Sequence, residues 1–394
     1  MQEVNQNPER WITRALDERR AAHLERRITA YDGMGGTFTA NGRTVLNFGS
    51  NDYLDLARHP RLKEAARRAL DDFGTGSTAS RLVTGTLPLH EELERVIAGH
   101  KGYPAALVFG SGYMTNAGVI SSVLDRKGHA FADRLVHASM VDAVRLSGAR
   151  LHRFHHNDVD SLARQLERHA SGRCMILTES VFSMDGDLAP LSDIATLAEQ
   201  YDALLMVDEA HAGGVFGPEG AGLIVEYGLQ EKVAVSMGTL SKAMGGYGGY
   251  VACSASMRQW LINYARSLIY TTALPPPVIA AAIEAFRILH DEPALGATVL
   301  ARAQRFRAQL QEAGLDTMQS ESPIVPVLIG DNERALRIAR RLADKDIVVG
   351  ALRPPTVPHG TARLRLSVTL AHTEDNLDRV AAEVADAFHK ESPS

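Results

Sequence analysis

Short apolar runs alternate with stretches of helical period through much of the chain. AALVF (105–109), CMILTES (174–180), ALLMVDEA (203–210), VAVSM (233–237) and GYVAC (249–253) read as strands, because each is a nearly continuous apolar run of strand length. Segments between them, such as 191–201, carry helical spacing. Continuous apolar strands imply a sheet covered on both faces, and their alternation with helices implies that the sheet is mostly parallel. Ahead of this body, Trp11, Ile12, Ala15, Leu16 and Leu24 keep helical spacing among many arginines, which predicts an amphipathic arm from Pro8 to about Arg27.

Three prolines at 275–277 break the pattern. Beyond them come two long helical stretches, a strand near 324–329, a helix from about 332 to 343 and a strand RLRLSV (363–368). A last helix places Leu377, Val380, Val384 and Phe388 on one face. This order predicts an α/β fold in three parts: a helical N-terminal arm over 1–50, a large domain with a mostly parallel sheet over 51–275, and a smaller α+β C-terminal domain over 276–394.

The length of 394 residues accommodates two domains and an arm at roughly 150 residues per domain. With 42 basic and 47 acidic residues the net charge is −5, so bulk charge gives no footing for nucleic acid. Cys174 and Cys253 allow at most one disulfide and form no CxxC pair, which fits a reducing cytoplasm. The polar N-terminus lacks the apolar core of a secretory signal. The uncharged stretch 103–124 has the length of a membrane span, but its glycines, Pro104 and hydroxyls make it strand, turn and helix instead.

No Gly-Lys dipeptide, HExxH or GxSxG occurs, which removes the nucleotide-loop, zinc-protease and serine-hydrolase readings, and no metal site is expected. What remains is an ordered constellation: GSGY (110–113), His137, Glu179 with Ser183, MVDEAH (206–211) and GTLSKAMGG (238–246). Taken singly, each reads as a turn former, a cap or a solvated charge. Together they meet the demands of pyridoxal 5′-phosphate (PLP), which needs a lysine for a Schiff base, an acid at the pyridine nitrogen, a phosphate cradle and a stacking ring. Lys242 supplies the amine, Asp208 the acid and His137 the ring. The helix opening at GSGY offers backbone N–H groups to the phosphate, with Thr239 and Ser183 as hydroxyl donors or ring contacts.

The chain resembles the α-oxoamine synthase family of fold type I PLP enzymes. The likeness runs through LDERRAAHLERR (16–27), LNFGSNDYLDL (46–56), GTGSTASRLVTGT (74–86), TESVFSMDGDLAPL (178–191), VDEAH (207–211), TLSKAMGG (239–246) and LRPPTVPHGTARLRLSVTLAHT (352–373). It implies Lys242, His137 and Asp208 as catalytic residues. Gly112, Tyr113, Glu179, Ser183, His211 and Thr239 would bind the cofactor with them. Arg365 would take an amino-acid carboxylate beside Asn51 and His137, while Arg26, Thr356 and nearby Arg353 would bind the acyl substrate. Arg365 shares a strand face with Arg363, opposite Leu364 and Leu366.

Within the family, SNDYL (50–54) and RPPTVPHGTARLRL (353–366) imply the biotin-pathway reaction, in which L-alanine condenses with a pimeloyl thioester of coenzyme A or an acyl carrier protein and loses carbon dioxide. The resemblance also implies a homodimer in which Thr271 and Thr272 reach the neighbour's phosphate. The alternatives are a sister enzyme using glycine (2-amino-3-ketobutyrate ligase or 5-aminolevulinate synthase), an aminotransferase, and a silent protein on the same fold.

Overall fold

The computed structural model describes residues 9–391 apart from 27, 32 and 41. Its centre is a seven-stranded sheet of β3 (Ala105–Phe109), β4 (His129–Asp133), β5 (Arg150–Phe154), β6 (Cys174–Glu179), β7 (Leu204–Asp208), β8 (Val235–Thr239) and β9 (Gly249–Cys253). The spatial order is β3-β9-β8-β7-β6-β4-β5. Neighbours from β8 to β5 run parallel, and β9 alone is reversed, pairing antiparallel with both β3 and β8. Every residue of β4, β6 and β9 is buried, as expected of strands covered on both faces.

The period of two sorts these strands into two cores. Phe131, Ile176, Leu205 and Val207 point into the larger core, which continues into the C-terminal segment through Ile324, Leu364 and Val380. Ala130, Ala132, Met175, Leu177 and Met206 point the other way, under the helices Gly112–Val123, Ala138–Ser147 and Ala255–Tyr264. A one-residue slip in any central strand would exchange these faces.

The expected helical arm is helical only over Arg10–Ala21 and buries none of its residues, and its expected ends at Pro8 and Arg27 lie outside the described residues. The chain then forms a hairpin, β1 (Thr37–Ala40) and β2 (Arg43–Asn47), which the helical reading of residues 1–50 omitted. β2 pairs in parallel with β11 (Ile347–Val348), so this early hairpin joins a late segment of the chain. The prolines do not merely interrupt the pattern. Pro275 is the N-cap of the helix Pro276–Asp291, where a missing N–H costs nothing. β10 (Ile324–Gly330), β12 (Gly350–Leu352) and β13 (Ala362–Ser367) make an antiparallel sheet with β13 in the middle. Its central place buries Arg363 and Arg365 beside the large sheet's carboxyl edge.

Candidate active site

β3, β4, β6, β7 and β8 all end at one edge of the large sheet, and the residues that follow them converge there, where open α/β sheets bind ligands. A pocket of about 190 Å³ at that edge is lined by Gly112, Tyr113, His137, Glu179, Asp208, His211, Thr239 and Lys242, together with Asn116. Eight residues singled out from the sequence therefore share one cavity.

Asp208 ends β7 at 5% exposure. Its Oδ1 accepts from the Ala210 backbone N–H (2.9 Å) and its Oδ2 from Asn116 Nδ2 (3.0 Å). Glu179 pairs in register with it on β6. Burial, reinforced by Asp208, pushes the Glu179 carboxyl well above the usual carboxylate range. Its Oε2 accepts from Ser183 N (3.2 Å), while Oε1 is buried without a partner, as is Asn116 Oδ1.

His137 caps the helix Ala138–Ser147 through its own ring nitrogen. Nδ1 lies 3.3 Å from Ser139 N and 2.7 Å from Ser139 Oγ, which in turn accepts from Asn116 Nδ2. Two donors at Nδ1 place the ring proton on Nε2, by assignment from the hydrogen-bond pattern. Burial lowers the imidazole further, with the Lys242 charge adding to it and Asp208 opposing, so the ring is neutral.

Lys242 follows β8, and its Nζ lies 2.8 Å from His211 Nε2. His211 Nδ1 lies 2.7 Å from the Tyr53 hydroxyl, which donates to Asn51 Oδ1 (3.3 Å), and Asn51 Oδ1 also accepts from Arg365 Nη1 (3.1 Å). From Lys242 through His211 and Tyr53 to Asn51 one proton direction is consistent, the His211 ring accepting at Nε2 and donating at Nδ1, and it meets the Arg365 donor at Asn51 Oδ1. Burial holds His211 well below the ordinary imidazole range, with Lys242 and Arg365 adding to the effect. Burial also lowers Lys242 to about 8, against Asp208 and Glu179 and with Arg365. The neutral amine, the form that attacks an aldehyde, is therefore reached near pH 8. The rate at which cofactor-free protein takes up PLP, followed by absorbance, should rise with pH and level off above about 8. Arg365→Ala should move that plateau upward.

Arg365 is 8% exposed and held by neutral acceptors: Ser183 O (2.7 Å), Ser367 Oγ (2.9 Å) and Asn51. Arg363, on the same strand face, is instead neutralised by Asp185. Arg365 thus keeps its charge free for an anion.

Beside the pocket, and sharing His137 with it, lies a cavity of about 810 Å³. Its walls include Val136, Val141, Phe182, Met184, Pro355 and Val357, and at its rim Arg26 Nη2 donates to Thr356 Oγ1 (3.0 Å). Arg353 lies close by, donating to the His23 carbonyl. Ser183 lines this cavity rather than the smaller pocket. Arg134, Arg145 and Arg153 form a second basic rim. Thr271 and Thr272 line neither cavity, and Thr272 pairs with Ser80 in an isolated bridge.

Sequence reasoning missed Asn116, Ser139, Tyr53 and the second arginine rim. Asn116 stands one helical turn after Gly112, and Tyr53 stands inside SNDYL, so both signals were present without an assigned role.

The family model for aminotransferases of class I and II matches residues 43–384. The chain belongs to that family. It is 48% identical over 381 residues to the 8-amino-7-oxononanoate synthase of Geobacter sulfurreducens, covering 95% of this chain and 97% of the relative. A serine palmitoyltransferase from S. paucimobilis, solved with bound PLP and myriocin, superposes with a TM-score of 0.91 at 28% identity over 98% of both chains. The 8-amino-7-oxononanoate synthase of Francisella tularensis superposes with a TM-score of 0.77 at 29% identity, over 88% of this chain and 98% of that one. The protein is a fold type I, PLP-dependent transferase of acyltransferase type.

Its own residues fit that cofactor. A Cβ on Gly112 would come within 3.1 Å of Met237 Cε and 3.8 Å of Thr239 Oγ1, so glycine leaves room at this wall of the pocket. Asn116 Oδ1 is buried without a partner in this pocket, and a polar ligand there would supply one. Among the described residues no helix is long and apolar enough to cross a membrane.

Proposed function

We propose that the enzyme condenses L-alanine with a pimeloyl thioester, releasing carbon dioxide and the free thiol and forming 8-amino-7-oxononanoate for biotin biosynthesis. One observation carries this reading. The cavity of about 810 Å³ that shares His137 with the cofactor pocket has Val136, Val141, Phe182, Met184 and Val357 in its lining together with Arg26 and Thr356, a combination suited to a long acyl chain with a distal carboxylate.

Bound PLP supplies a conjugated electron sink for the pair left at Cα. Arg365 fixes the alanine carboxylate through a charge-assisted pair. Lys242, neutral near pH 8, removes the Cα proton. Asp208 keeps a proton on the pyridine nitrogen, and Asn116 and the Ala210 N–H keep Asp208 oriented. His137 donates from Nε2 to the thioester oxygen as charge develops there. Gly112 and Tyr113 would hold the phosphate, with Thr271 and Thr272 of a neighbouring protomer, and a monomeric active species in solution would contradict that homodimer.

The rim of Arg134, Arg145 and Arg153 suits phosphate on the thioester's carrier. Arg153 is lowered by burial, Asp133 opposing and the two neighbouring arginines adding, so an anion there would relieve repulsion. Raising salt should increase KM for pimeloyl-coenzyme A more than for a phosphate-free pimeloyl thioester.

A panel crossing alanine, glycine and serine with pimeloyl, acetyl, succinyl and palmitoyl thioesters tests the assignment. Alanine with pimeloyl donors, on coenzyme A or on carrier protein, should give the highest kcat/KM. Preference for glycine with acetyl or succinyl donors would move the enzyme to a sister activity. Arg365→Ala should weaken alanine by about 2 to 5 kcal/mol, as for a buried charged contact. Arg26 is exposed, so Arg26→Ala should raise KM for the pimeloyl thioester only about fivefold, leaving alanine binding unchanged.

A further inference from the structure

Two loops line the larger cavity beside the cofactor pocket. One leaves β4 at Asp133 and leads to His137. The other runs over 180–188 between β6 and the helix Leu191–Gln200, and it carries Ser183 and Asp185. Nothing in the roles assigned above accounts for the side chain lodged between them. His156 Nδ1 lies 3.0 Å from Asp133 Oδ1, and its Nε2 lies 2.8 Å from Asp187 Oδ2.

Each aspartate is tied into its own loop, Asp133 through its carboxylate and Asp187 through its backbone carbonyl. Asp133 accepts from Leu135 N (2.7 Å) and from Asn157 N (2.8 Å), so it shapes the turn leading to His137. Asp187 accepts from Asn157 Nδ2 (2.8 Å), and its carbonyl accepts from Phe182 N (3.0 Å), which closes the second loop on itself. The His156 ring meets Phe182 edge-on at 4.4 Å between centroids. The next residue along is Ser183, whose carbonyl receives Arg365 Nε.

Burial alone would lower the His156 imidazole, yet hydrogen bonds and charge from Asp133 and Asp187 together raise it to about 9. It is therefore a cation bonded at both nitrogens at neutral pH. His156, Asp185 and Asp187 lie close enough together to suggest a metal site. However, the imidazolium answers Asp133 and Asp187, and Arg363 answers Asp185, so the cluster is a brace of ion pairs.

We propose that His156 is a positioning residue: together with Asn157, which bonds the same two carboxylates, it joins Asp133 to Asp187, sets the spacing between the His137 loop and the Ser183 loop, and so aims Arg365 at the amino-acid carboxylate. This rests on the reading of Arg365 as the carboxylate's partner. The brace touches neither Lys242 nor Asp208, so its effect through Arg365 is read in alanine binding, and its effect through the His137 loop falls on kcat.

The test uses PLP-loaded wild type, His156→Leu, His156→Gln and Arg365→Ala. Alanine is titrated against cofactor absorbance, alongside PLP content per chain, thermal unfolding and steady-state KM and kcat. His156→Leu should raise the alanine Kd between about 10- and 100-fold, the cost of misplacing a binding group. PLP content should stay at one per chain. His156→Gln, which keeps one donor, should recover part of the loss, and it decides the matter if the leucine variant does not fold.

Wild-type alanine affinity in a folded, PLP-saturated His156 variant would overturn the proposal, as would loss of PLP in parallel with alanine. Arg365→Ala separates the two readings. If it leaves alanine affinity unchanged, the carboxylate assignment fails and the positioning proposal with it. If it weakens alanine while the His156 variants do not, only the positioning proposal fails.

Discussion

Lys242→Ala is expected to reduce turnover by about 10⁴-fold or more, since it removes both the amine that attaches the cofactor and the general base, and a general base alone is worth up to about 10⁴-fold. Burial makes this lysine suitable for both tasks: it lowers the ammonium to about 8, and the His211 Nε2 acceptor at 2.8 Å holds Nζ inside the pocket. The variant should still fold, because Lys242 lies in the turn after β8 and belongs to neither core. Borohydride treatment of wild type followed by peptide mapping should place the cofactor on Lys242, and the alanine variant should take no label. Label on another lysine would end the assignment.

The route from pattern to fold was clearest where burial was complete. β6 and β7 were legible because a strand covered on both faces has no reason to alternate, and CMIL and ALLMV are continuous apolar runs. RLHRF (150–154), the edge strand β5, was not read as a strand, since its pairing on one side alone leaves Arg150 exposed and Leu151, His152 and Arg153 only partly covered. The reversal of β9 was invisible for the converse reason: GYVAC is equally apolar in either direction. The hairpin at 37–47 did carry a signal, an Asn-Gly pair between TFTA and RTVLN, with Gly42 at φ +73°. Arginine-rich helical spacing upstream drew the whole segment into one helical reading.

The site divides along the same line. Asp208, Thr239 and Lys242 were legible because strand ends announce themselves as polar residues closing an apolar run. The chain from Lys242 through His211, Tyr53 and Asn51 to Arg365 was not, because its members come from four separate segments and Asn51 and Arg365 stand 314 positions apart. Only the packing of β13 against the large sheet's edge brings them within hydrogen-bond range. The neutrality of Arg365's acceptors is likewise a property of the folded chain. RLRLS sets two arginines on one face, and it is Asp185, from another loop, that silences Arg363 and leaves Arg365 as the available cation.

Asp208→Asn should cost roughly 3 to 5 kcal/mol in kcat/KM, the size of breaking one buried charged pair, or about 10²- to 5 × 10³-fold at 1.36 kcal/mol per decade. The carboxylate's two recorded donors, Asn116 Nδ2 and the Ala210 N–H, leave it with lone pairs for the pyridine nitrogen. A carboxamide keeps the shape but carries no charge to hold a proton on that nitrogen, so the electron sink weakens while the pocket stays intact. The substitution also sets a new amide N–H₂ group near that of Asn116, whose orphaned Oδ1 can turn to meet it and so spare the fold. The variant should therefore bind PLP and alanine and lose the chemical step. That loss should appear as slowed exchange of the alanine Cα proton with deuterated solvent, measured without thioester. Undiminished exchange in a PLP-loaded Asp208→Asn enzyme would mean that the ring nitrogen is not anchored at β7. A variant that failed to bind PLP at all would instead assign Asp208 to retaining the cofactor, with Asn116 and Ser139 as the next residues to test for the electronic role.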